Sequence, residues 1–263
     1  MRGVICYYSG SGNTKLACEY VGARLGIEFD LVDVIAEDAV DLSPYDAVGL
    51  AAPTDFGGLP HRFETFLAQL PPQGGRLAFV LNTYGFASGR TLRDLAEQTA
   101  ARGLTVIGGY SLHMPEDYPP MIAIGLSFAD QPKPAVMRSF DAFIAEMDGV
   151  LGEARRGVNV GPRPVRFGLL GRLSPHRDRE LARRDMGEKL IDAELCIQCG
   201  TCAERCPYGA ILLSPGPVFD MARCYGCWRC YNQCPQHAIY TDKFRGGPFY
   251  PRPTEPARKA LRP

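Results

Sequence analysis

Eight of the ten cysteines in this chain lie within 39 residues, in a spacing suited to iron–sulfur chemistry. They form two runs of the pattern C-x2-C-x2-C-x3-C-P, namely Cys196, Cys199, Cys202 and Cys206, then Cys224, Cys227, Cys230 and Cys234. The short spacing lets one loop wrap three thiolates around a cubane cluster, while the proline ends the loop and turns the fourth cysteine away. The other two cysteines, Cys6 and Cys18, stand alone and are predicted to be small buried apolar residues.

The two cysteine runs are an internal repeat, because a shift of 28 residues superposes all four cysteines and the following proline. A pair of structural zinc sites is the alternative, since a C-x2-C pair is also a zinc knuckle. Zinc needs only two separated pairs and gives no reason for the third cysteine or for the proline. The pattern therefore favours two [4Fe-4S] clusters.

Residues 190–242 resemble the two-cluster ferredoxins of bacteria in all eight cysteines and both prolines. The resemblance implies that the fourth cysteine of each run serves the other cluster. One cluster would then be held by Cys196, Cys199, Cys202 and Cys234, and the second by Cys224, Cys227, Cys230 and Cys206. It also implies one-electron transfer at low potential, with Tyr208, Tyr225, Trp228 and Tyr231 shielding the clusters from water.

A loop rich in glycine and hydroxyl groups follows the first apolar run and opens a helix. It consists of Ser9, Gly10, Ser11, Gly12, Asn13 and Thr14. Backbone N–H groups at a helix N-terminus favour a phosphate, glycines let the backbone approach it, and hydroxyls donate further hydrogen bonds. The loop does not match the triphosphatase pattern, and Lys15 stands where the dinucleotide pattern needs its third glycine. A capped turn without a ligand is the alternative to a site for one phosphate monoester.

Two further loops follow predicted strands, and ligands of doubly wound sheets bind at that edge. The second loop contains Pro53, Thr54, Asp55, Phe56, Gly57 and Gly58, and the third contains Asn82, Thr83, Tyr84 and Gly85. Together with the first loop they resemble the FMN-binding loops of flavodoxins. The resemblance implies that residues 9–14 hold the phosphate and that the other two loops flank the isoalloxazine ring, with Phe56 or Tyr84 stacked on it. The Gly57–Gly58 peptide would be able to turn its carbonyl toward flavin N5.

Alternating strand-like and helix-like segments position these loops. Apolar runs at 3–8, 29–34, 46–52, 77–81 and 104–108 predict five strands, separated by helical patterns near 13–25, 61–70, 90–102 and 134–151. Strands joined by helix-length segments form a parallel sheet through right-handed crossovers. We therefore predict an α/β fold with a flavodoxin-like, doubly wound parallel sheet of five strands, followed by a smaller α+β domain of the bacterial ferredoxin type.

Composition divides the chain further. An FMN-binding domain is predicted at 1–152, a linker rich in arginine, glycine and proline at 153–189 with a short helix near 179–189, and the cluster domain at 190–242. The tail at 243–263 holds five prolines, which predict irregular structure. Residues 111–134 are too long for a simple connection, and they form either a lid over the flavin or the domain junction, or an excursion without function.

Charge is unevenly distributed, although the formal net charge is zero. Residues 1–152 carry 10 lysines and arginines against 18 acidic residues, and residues 153–193 carry 10 against 6. Complementary charge orients encounters between surfaces, so electron transfer between the two parts is predicted to slow as salt is added. There are two alternatives: the domains pack through apolar contacts, or the flavin and the clusters meet only between chains of an oligomer.

The order of the two domains resembles that of flavodoxin–ferredoxin fusion proteins over nearly the whole chain. The resemblance implies an electron-transfer protein that passes electrons between a low-potential donor, two [4Fe-4S] clusters and FMN. Two alternatives stay open: a flavin-dependent reductase of a quinone, corrinoid or porphyrin acceptor, and a redox-responsive binding module without turnover. A pocket beside the flavin large enough for an organic substrate would favour the reductase.

The expected partners are redox proteins, one donor and one acceptor, and no nucleic acid is expected. No apolar run reaches the roughly 18 residues of a membrane span, and the polar start leaves no room for a signal peptide. The clustered cysteines fit a reducing compartment, so we expect a cytoplasmic protein. The oligomeric state is left open, with a homodimer as one alternative.

Overall fold

The computed structural model describes residues 1–36, 40–167 and 179–263. Its first part is a parallel sheet of five strands in the order β2-β1-β3-β4-β5. The strands are β1 (Gly3–Tyr7), β2 (Phe29–Asp33), β3 (Ala47–Pro53), β4 (Leu77–Tyr84) and β5 (Thr105–His113). The prediction of a doubly wound parallel sheet of five strands is confirmed.

Strand β5 is longer than its apolar run predicts. The run ends at Gly108, but the strand continues to His113 because it stays paired with β4 as far as Tyr84, past an irregularity between Ala78 and Phe79. Pairing with a neighbouring strand thus overrides the polar side chains of this segment.

Helices cover both faces of the sheet. They are α1 (Asn13–Gly22), α2 (His61–Gln69), α3 (Thr91–Ala101), the short α4 (Pro119–Ala123) and α5 (Pro134–Arg155). Ile5 packs with residues of α1 and α5, while Val4 packs with residues of α2 and α3, so the central strand β1 is buried on both sides. Cys6 and Cys18 are fully buried, as predicted, and burial raises the pKa of the Cys6 thiol to about 12.

The second part is a small α+β unit made of short elements, as predicted. Strand β6 (Lys189–Ile191) pairs antiparallel with β9 (Ile239–Thr241), and β7 (Ile211–Leu213) pairs antiparallel with β8 (Pro217–Phe219). Helix α6 (Arg179–Met186) precedes them and confirms the short helix predicted near 179–189. Helices α7 (Thr201–Glu204) and α8 (Arg229–Gln233) each carry the third cysteine of one run. Within the part of the chain that the structure describes, no helix has the length and apolar character needed to cross a membrane.

The segment after α5 packs against the edge strand β5. The Arg163 N–H donates to the carbonyl of Val106 at 2.9 Å, and its guanidinium lies 3.4 Å from the Glu153 carboxylate. Val165 fills the space above Gly109, where a Cβ would lie 2.7 Å from its Cγ1. This part of the predicted linker therefore protects an exposed sheet edge. Arg172 and Arg177 of the linker lie outside the described residues.

The tail returns to the first part of the molecule. It contains helix α9 (Glu255–Ala260), so the prediction of irregular structure is wrong there. Pro256 lies in the first turn of α9, where its missing N–H is not needed, and the Thr254 hydroxyl accepts a hydrogen bond from the Ala257 N–H at 3.4 Å. Ala257 and Leu261 are fully buried in the core formed with α1 and α5.

Candidate functional site

The three predicted cofactor loops meet at the carboxyl edge of the sheet and line one cavity of about 320 Å³. The predicted residues that line it are Gly10, Ser11, Asn13, Thr14, Pro53, Thr54, Asp55, Phe56, Gly57, Thr83, Tyr84 and Gly85. Four other predicted residues, Ser9, Gly12, Gly58 and Asn82, belong to the loops but do not line the cavity.

The first loop presents backbone N–H groups to the cavity. The Ser9 hydroxyl accepts hydrogen bonds from the N–H groups of Gly12 (3.1 Å) and Lys15 (3.3 Å) and so fixes the turn. The N–H groups of Ser11, Asn13 and Thr14 have no acceptor among the described residues, although all three residues are buried. Buried donors without partners are unfavourable, and an anion at this helix N-terminus would satisfy them. The loop therefore fits a phosphate group.

Hydrogen bonds brace the three loops against one another. The hydroxyls of Thr14 and Thr83 lie 2.8 Å apart and join the first loop to the third. The Asn82 amide donates to the Thr54 hydroxyl at 3.0 Å, and the Thr54 N–H donates to the Thr83 carbonyl at 2.7 Å. Asn82 therefore supports the second loop from behind. This bracing holds the cavity open in a defined shape before a ligand binds.

The second loop is a tight turn. Asp55 and Gly58 exchange backbone hydrogen bonds of 3.0 and 3.1 Å, and Gly57 has a left-handed φ of 83°. The Gly57 carbonyl accepts a hydrogen bond from the Arg90 N–H at 3.0 Å. Turning this carbonyl toward a flavin would break that bond, and the turned-in arrangement stays a prediction.

The two residues predicted to stack on the flavin, Tyr84 and Phe56, both line the cavity, but their local conformations and neighbours differ. The Tyr84 ring is parallel to the His113 ring, with centroids 5.0 Å apart, so one neighbour holds it in place. Phe56 has a left-handed φ of 51°, which is unusual for a residue with a side chain. Both rings are in position to contact a planar ligand.

The long segment at 111–134 closes one side of the cavity, which favours the lid over an excursion without function. The Asn13 amide donates to the Pro115 carbonyl at 2.9 Å, and the Glu116 carboxylate accepts from the Phe86 N–H at 2.8 Å. Burial of the neighbouring Asp117 carboxyl, together with the Glu116 and Asp55 charges, raises its pKa to about 6, against the effect of a hydrogen bond from Ser11. On one side of the cavity lies the first loop, which contains no lysine or arginine and fits a phosphate group. On the other side lie carboxyl groups.

The opposite wall comes from helix α6 and the second cysteine run, and it was missed by sequence reasoning. Ala182, Gly226, Cys227 and Trp228 complete the lining. Trp228 is 4% exposed and meets the Tyr118 ring edge-to-face at 5.7 Å. A sequence signal existed: under the shift of 28 residues the one tryptophan of the chain replaces a glycine.

Further contacts join the two parts around this cavity. The His61 N–H donates to the Tyr225 hydroxyl at 3.1 Å, and the Asn232 amide donates to the Asp117 carbonyl at 2.8 Å. The Gln233 amide donates to the carbonyl of Gly10 at 2.8 Å. These contacts are hydrogen bonds between neutral groups, accompanied by the Tyr118–Trp228 ring contact.

The cysteines surround two separate cavities. The first is lined by Cys196, Cys199, Cys202 and Cys234, and the second by Cys206, Cys224, Cys227 and Cys230. Each cavity thus gathers three cysteines of one run and the fourth of the other, which is the arrangement that the ferredoxin resemblance implies. Tyr208 and Tyr225, predicted to shield the clusters, stack at 4.5 Å beside the second cavity.

The repeat extends further than the cysteines. The thiols of Cys206 and Cys234 each accept a backbone N–H at 3.3 Å, from Ala210 and Ala238 respectively. Asp192 and Asp220, also related by 28 residues, each accept two backbone N–H groups just before a cysteine run. Sequence reasoning missed this aspartate pair, which the same shift would have found.

Comparisons with known families match both parts. A model described as a flavodoxin domain matches residues 4–87, and one described as a 4Fe-4S binding domain matches residues 189–212 and 217–240. No curated protein matches the chain.

Solved structures similar to the chain include three with informative names. Flavodoxin 1 of Bacillus cereus has 21% identity and a TM-score of 0.45, over 56% of this chain and 96% of that one. The two-electron reduced flavodoxin of Megasphaera elsdenii has 26% identity and a TM-score of 0.39, over 42% of this chain and 85% of that one. The rubredoxin oxygen:oxidoreductase of Desulfovibrio gigas has 17% identity and a TM-score of 0.46, over 57% of this chain and only 36% of that one.

Proposed function

We propose that this chain, in which a flavodoxin domain precedes two 4Fe-4S binding motifs, carries electrons between an external low-potential redox protein and its own FMN. The flavodoxin domain binds FMN, and the two motifs bind two [4Fe-4S] clusters. Each cluster supplies one-electron exchange, and FMN supplies exchange of one or two electrons. We propose the division into 1–152, 153–189, 190–242 and 243–263, and a cytoplasmic location on the grounds of cysteine chemistry.

The ligand sets in this proposal follow the two cysteine cavities. Cys196, Cys199, Cys202 and Cys234 would hold an outer cluster, and Cys206, Cys224, Cys227 and Cys230 an inner cluster. In the flavodoxin part, residues 9–14 would bind the phosphate of FMN, and the second and third loops would bind its ring. The support is the set of unpaired, buried N–H groups of the first loop and the crossed grouping of the cysteines.

One observation carries the order of the centres: Cys227 lines both the second cysteine cavity and the cavity of the flavodoxin loops. The inner cluster would therefore lie against the flavin. The first cysteine cavity is at the surface, since Cys199 is exposed and its neighbour Ile197 is 60% exposed. External redox partners would accordingly meet the outer cluster.

The size of the flavin cavity favours a carrier over a reductase. Its 320 Å³ is near the lower end of the range for a single bound ligand, and Trp228 and Gly226 close one side of it. Once a flavin fills this space, a quinone, corrinoid or porphyrin has little room.

Anaerobic purification of the full chain tests the proposal. We expect about eight iron atoms, about eight acid-labile sulfides and about one FMN per chain. A one-electron donor should bleach the clusters before it reduces the flavin, and Cys199→Ser, at the exposed cluster, should slow both events. Stoichiometric zinc without sulfide would contradict the proposal, and so would turnover of a quinone or porphyrin as fast as the donor delivers electrons.

A further inference from the structure

Lys189 is a buried cation at the inner cysteine cavity. It is 6% exposed and begins β6, where its backbone pairs with Thr241 of β9. It lines the cavity of Cys206, Cys224, Cys227 and Cys230. Its Nζ has no oxygen or nitrogen partner within the described residues; the thiol of Cys230 is its hydrogen-bonding neighbour, and the centre of the Trp228 ring lies 5.4 Å away. An ammonium group is costly to bury without a negative partner, and the cysteines of this cavity are the groups placed to supply that negative charge.

The internal repeat shows that the positive charge of Lys189 has no counterpart at the matching position of the outer cavity. Under the shift of 28 residues, Lys189 corresponds to Pro217, and Arg229 corresponds to Thr201. All four residues line a cysteine cavity, with the two cations at the inner one and the two neutral residues at the outer one. Two guanidinium nitrogens of Arg229, Nε and Nη1, also lack partners in the described part of the chain. The two cavities thus share a backbone plan and differ in charge.

We propose that Lys189 makes the inner cluster the more easily reduced of the two, so that an electron entering at the outer cluster moves inward toward the flavin. This inference rests on the proposed function and adds its direction. A low-potential one-electron donor protein supplies the electron; the outer cluster gains and then loses it, and the inner cluster gains it. No bond breaks and no proton is taken up, because the ammonium is already charged.

The physical reason is the added negative charge of a reduced cluster. A fixed positive charge close by favours that charge, and it does so strongly in a buried region of low effective dielectric. Water around the outer cluster favours its reduction too, because water solvates the added charge. At the inner cavity two cations, Lys189 and Arg229, act at short range through a medium that screens them little, and they offset the loss of that solvation.

The experiment is a redox titration of the anaerobic full chain followed by electron paramagnetic resonance. Lys189→Met keeps the length of the side chain and removes its charge, while Lys189→Arg keeps the charge. Lys243→Met removes an exposed lysine from the same part of the chain and is the matched control. Cys199→Ser identifies the outer cluster, because in this variant the reduction step of the outer cluster should be the one that shifts in the titration.

In Lys189→Met, we expect the equilibrium constant for reducing the inner cluster to fall about tenfold, which corresponds to about 59 mV for one electron. Lys189→Arg and Lys243→Met should stay close to the native protein. If Lys189→Met leaves both potentials unchanged in a protein that holds two clusters and FMN, the inference is wrong and the proposed function stands. If neutral variants lose the inner cluster while Lys189→Arg retains it, Lys189 serves assembly, and the inference is also wrong. A native chain without sulfide would overturn the proposed function itself.

Discussion

Trp228 has the left-handed backbone conformation that Gly200 has 28 residues earlier, with φ of 60° and 78° respectively. A residue with a side chain costs about 1–2 kcal/mol in this conformation, whereas glycine adopts it freely. The Trp228 ring is packed among the rings of Tyr118, Tyr231 and Phe244 at 5.3 to 5.7 Å. This packing offsets the backbone strain and fixes the ring as a wall of the flavin cavity.

Trp228→Gly should therefore weaken FMN binding although it relieves the backbone. Loss of the wall exposes the cavity to water, and we expect the Kd for FMN to rise about tenfold or more, equivalent to about 1.4 kcal/mol. Quenching of flavin fluorescence in anaerobic titrations measures this, with iron content as a check on the clusters. Trp228→Phe retains a ring and should lie between the two. An unchanged Kd in Trp228→Gly would show that the ring does not bound the flavin site.

Asp117 should make the stability of the protein depend on pH. Its pKa in the folded chain is raised to about 6 from an ordinary value of 3.8, so the folded state binds this proton more tightly than the unfolded state does. The stabilisation by protonation is therefore present below about pH 4 and is lost as the pH rises through 6. Asp117→Asn should be more stable than the native protein at pH 7, by about 1–2 kcal/mol, and equal to it near pH 4. Calorimetric Tm values across this range measure the difference. The exposed Glu97→Gln is the control, and a pH-independent difference in Asp117→Asn would contradict the assignment.

Gly12→Val should abolish FMN binding and leave iron content intact. Gly12 has φ of 100°, and a Cβ there would lie 2.9 Å from Cδ of Pro253 in the tail. A β-branched side chain would displace both the phosphate loop and the tail. Gly149→Ala on α5, where the added Cβ meets open space, is the control. Flavin retained at full occupancy in Gly12→Val would show that the loop does not bind the phosphate.

Electron transfer between inner cluster and FMN should be almost indifferent to salt. The uneven charge of the chain predicts a rate that falls with ionic strength, but the contacts of His61 with Tyr225 and of Asn232 with Asp117 are hydrogen bonds between neutral groups. Screening acts on charges, so we expect less than about a twofold change between 0.05 and 0.5 M salt. Stopped-flow absorbance at flavin and cluster wavelengths measures this. A rate that falls steeply with salt, and falls again when Arg163 is replaced by glutamate, would restore the electrostatic interpretation.

Local patterns predicted most of the fold, and most of the predicted cofactor residues line one cavity; their binding of FMN stays a prediction. The strands, the phosphate loop and the cysteine runs are each set by neighbours within a few residues, which periodicity and spacing report directly. The cavity wall is different, because Asn232 meets Asp117 over 115 positions and Tyr250 meets Asn13 over 237. A periodic pattern within a short stretch of sequence does not report contacts between residues so far apart in the chain. The prolines of the tail led to the wrong prediction of irregular structure at 255–260. A proline is compatible with a helix when it lies in the first turn, as Pro256 does, and the number of prolines does not report their position in a helix.

The burial of Ala257 and Leu261 against α1 and α5 has a consequence for biosynthesis. When residues 1–155 have left the ribosome, an apolar face of these helices is still uncovered, because the segment that covers it is translated after residues 190–242. The flavodoxin core is therefore completed only by a segment that follows the cluster-binding part in the chain. A nonsense codon between residues 243 and 257 consequently acts on the maturation of the N-terminal half, whose own codons are unchanged.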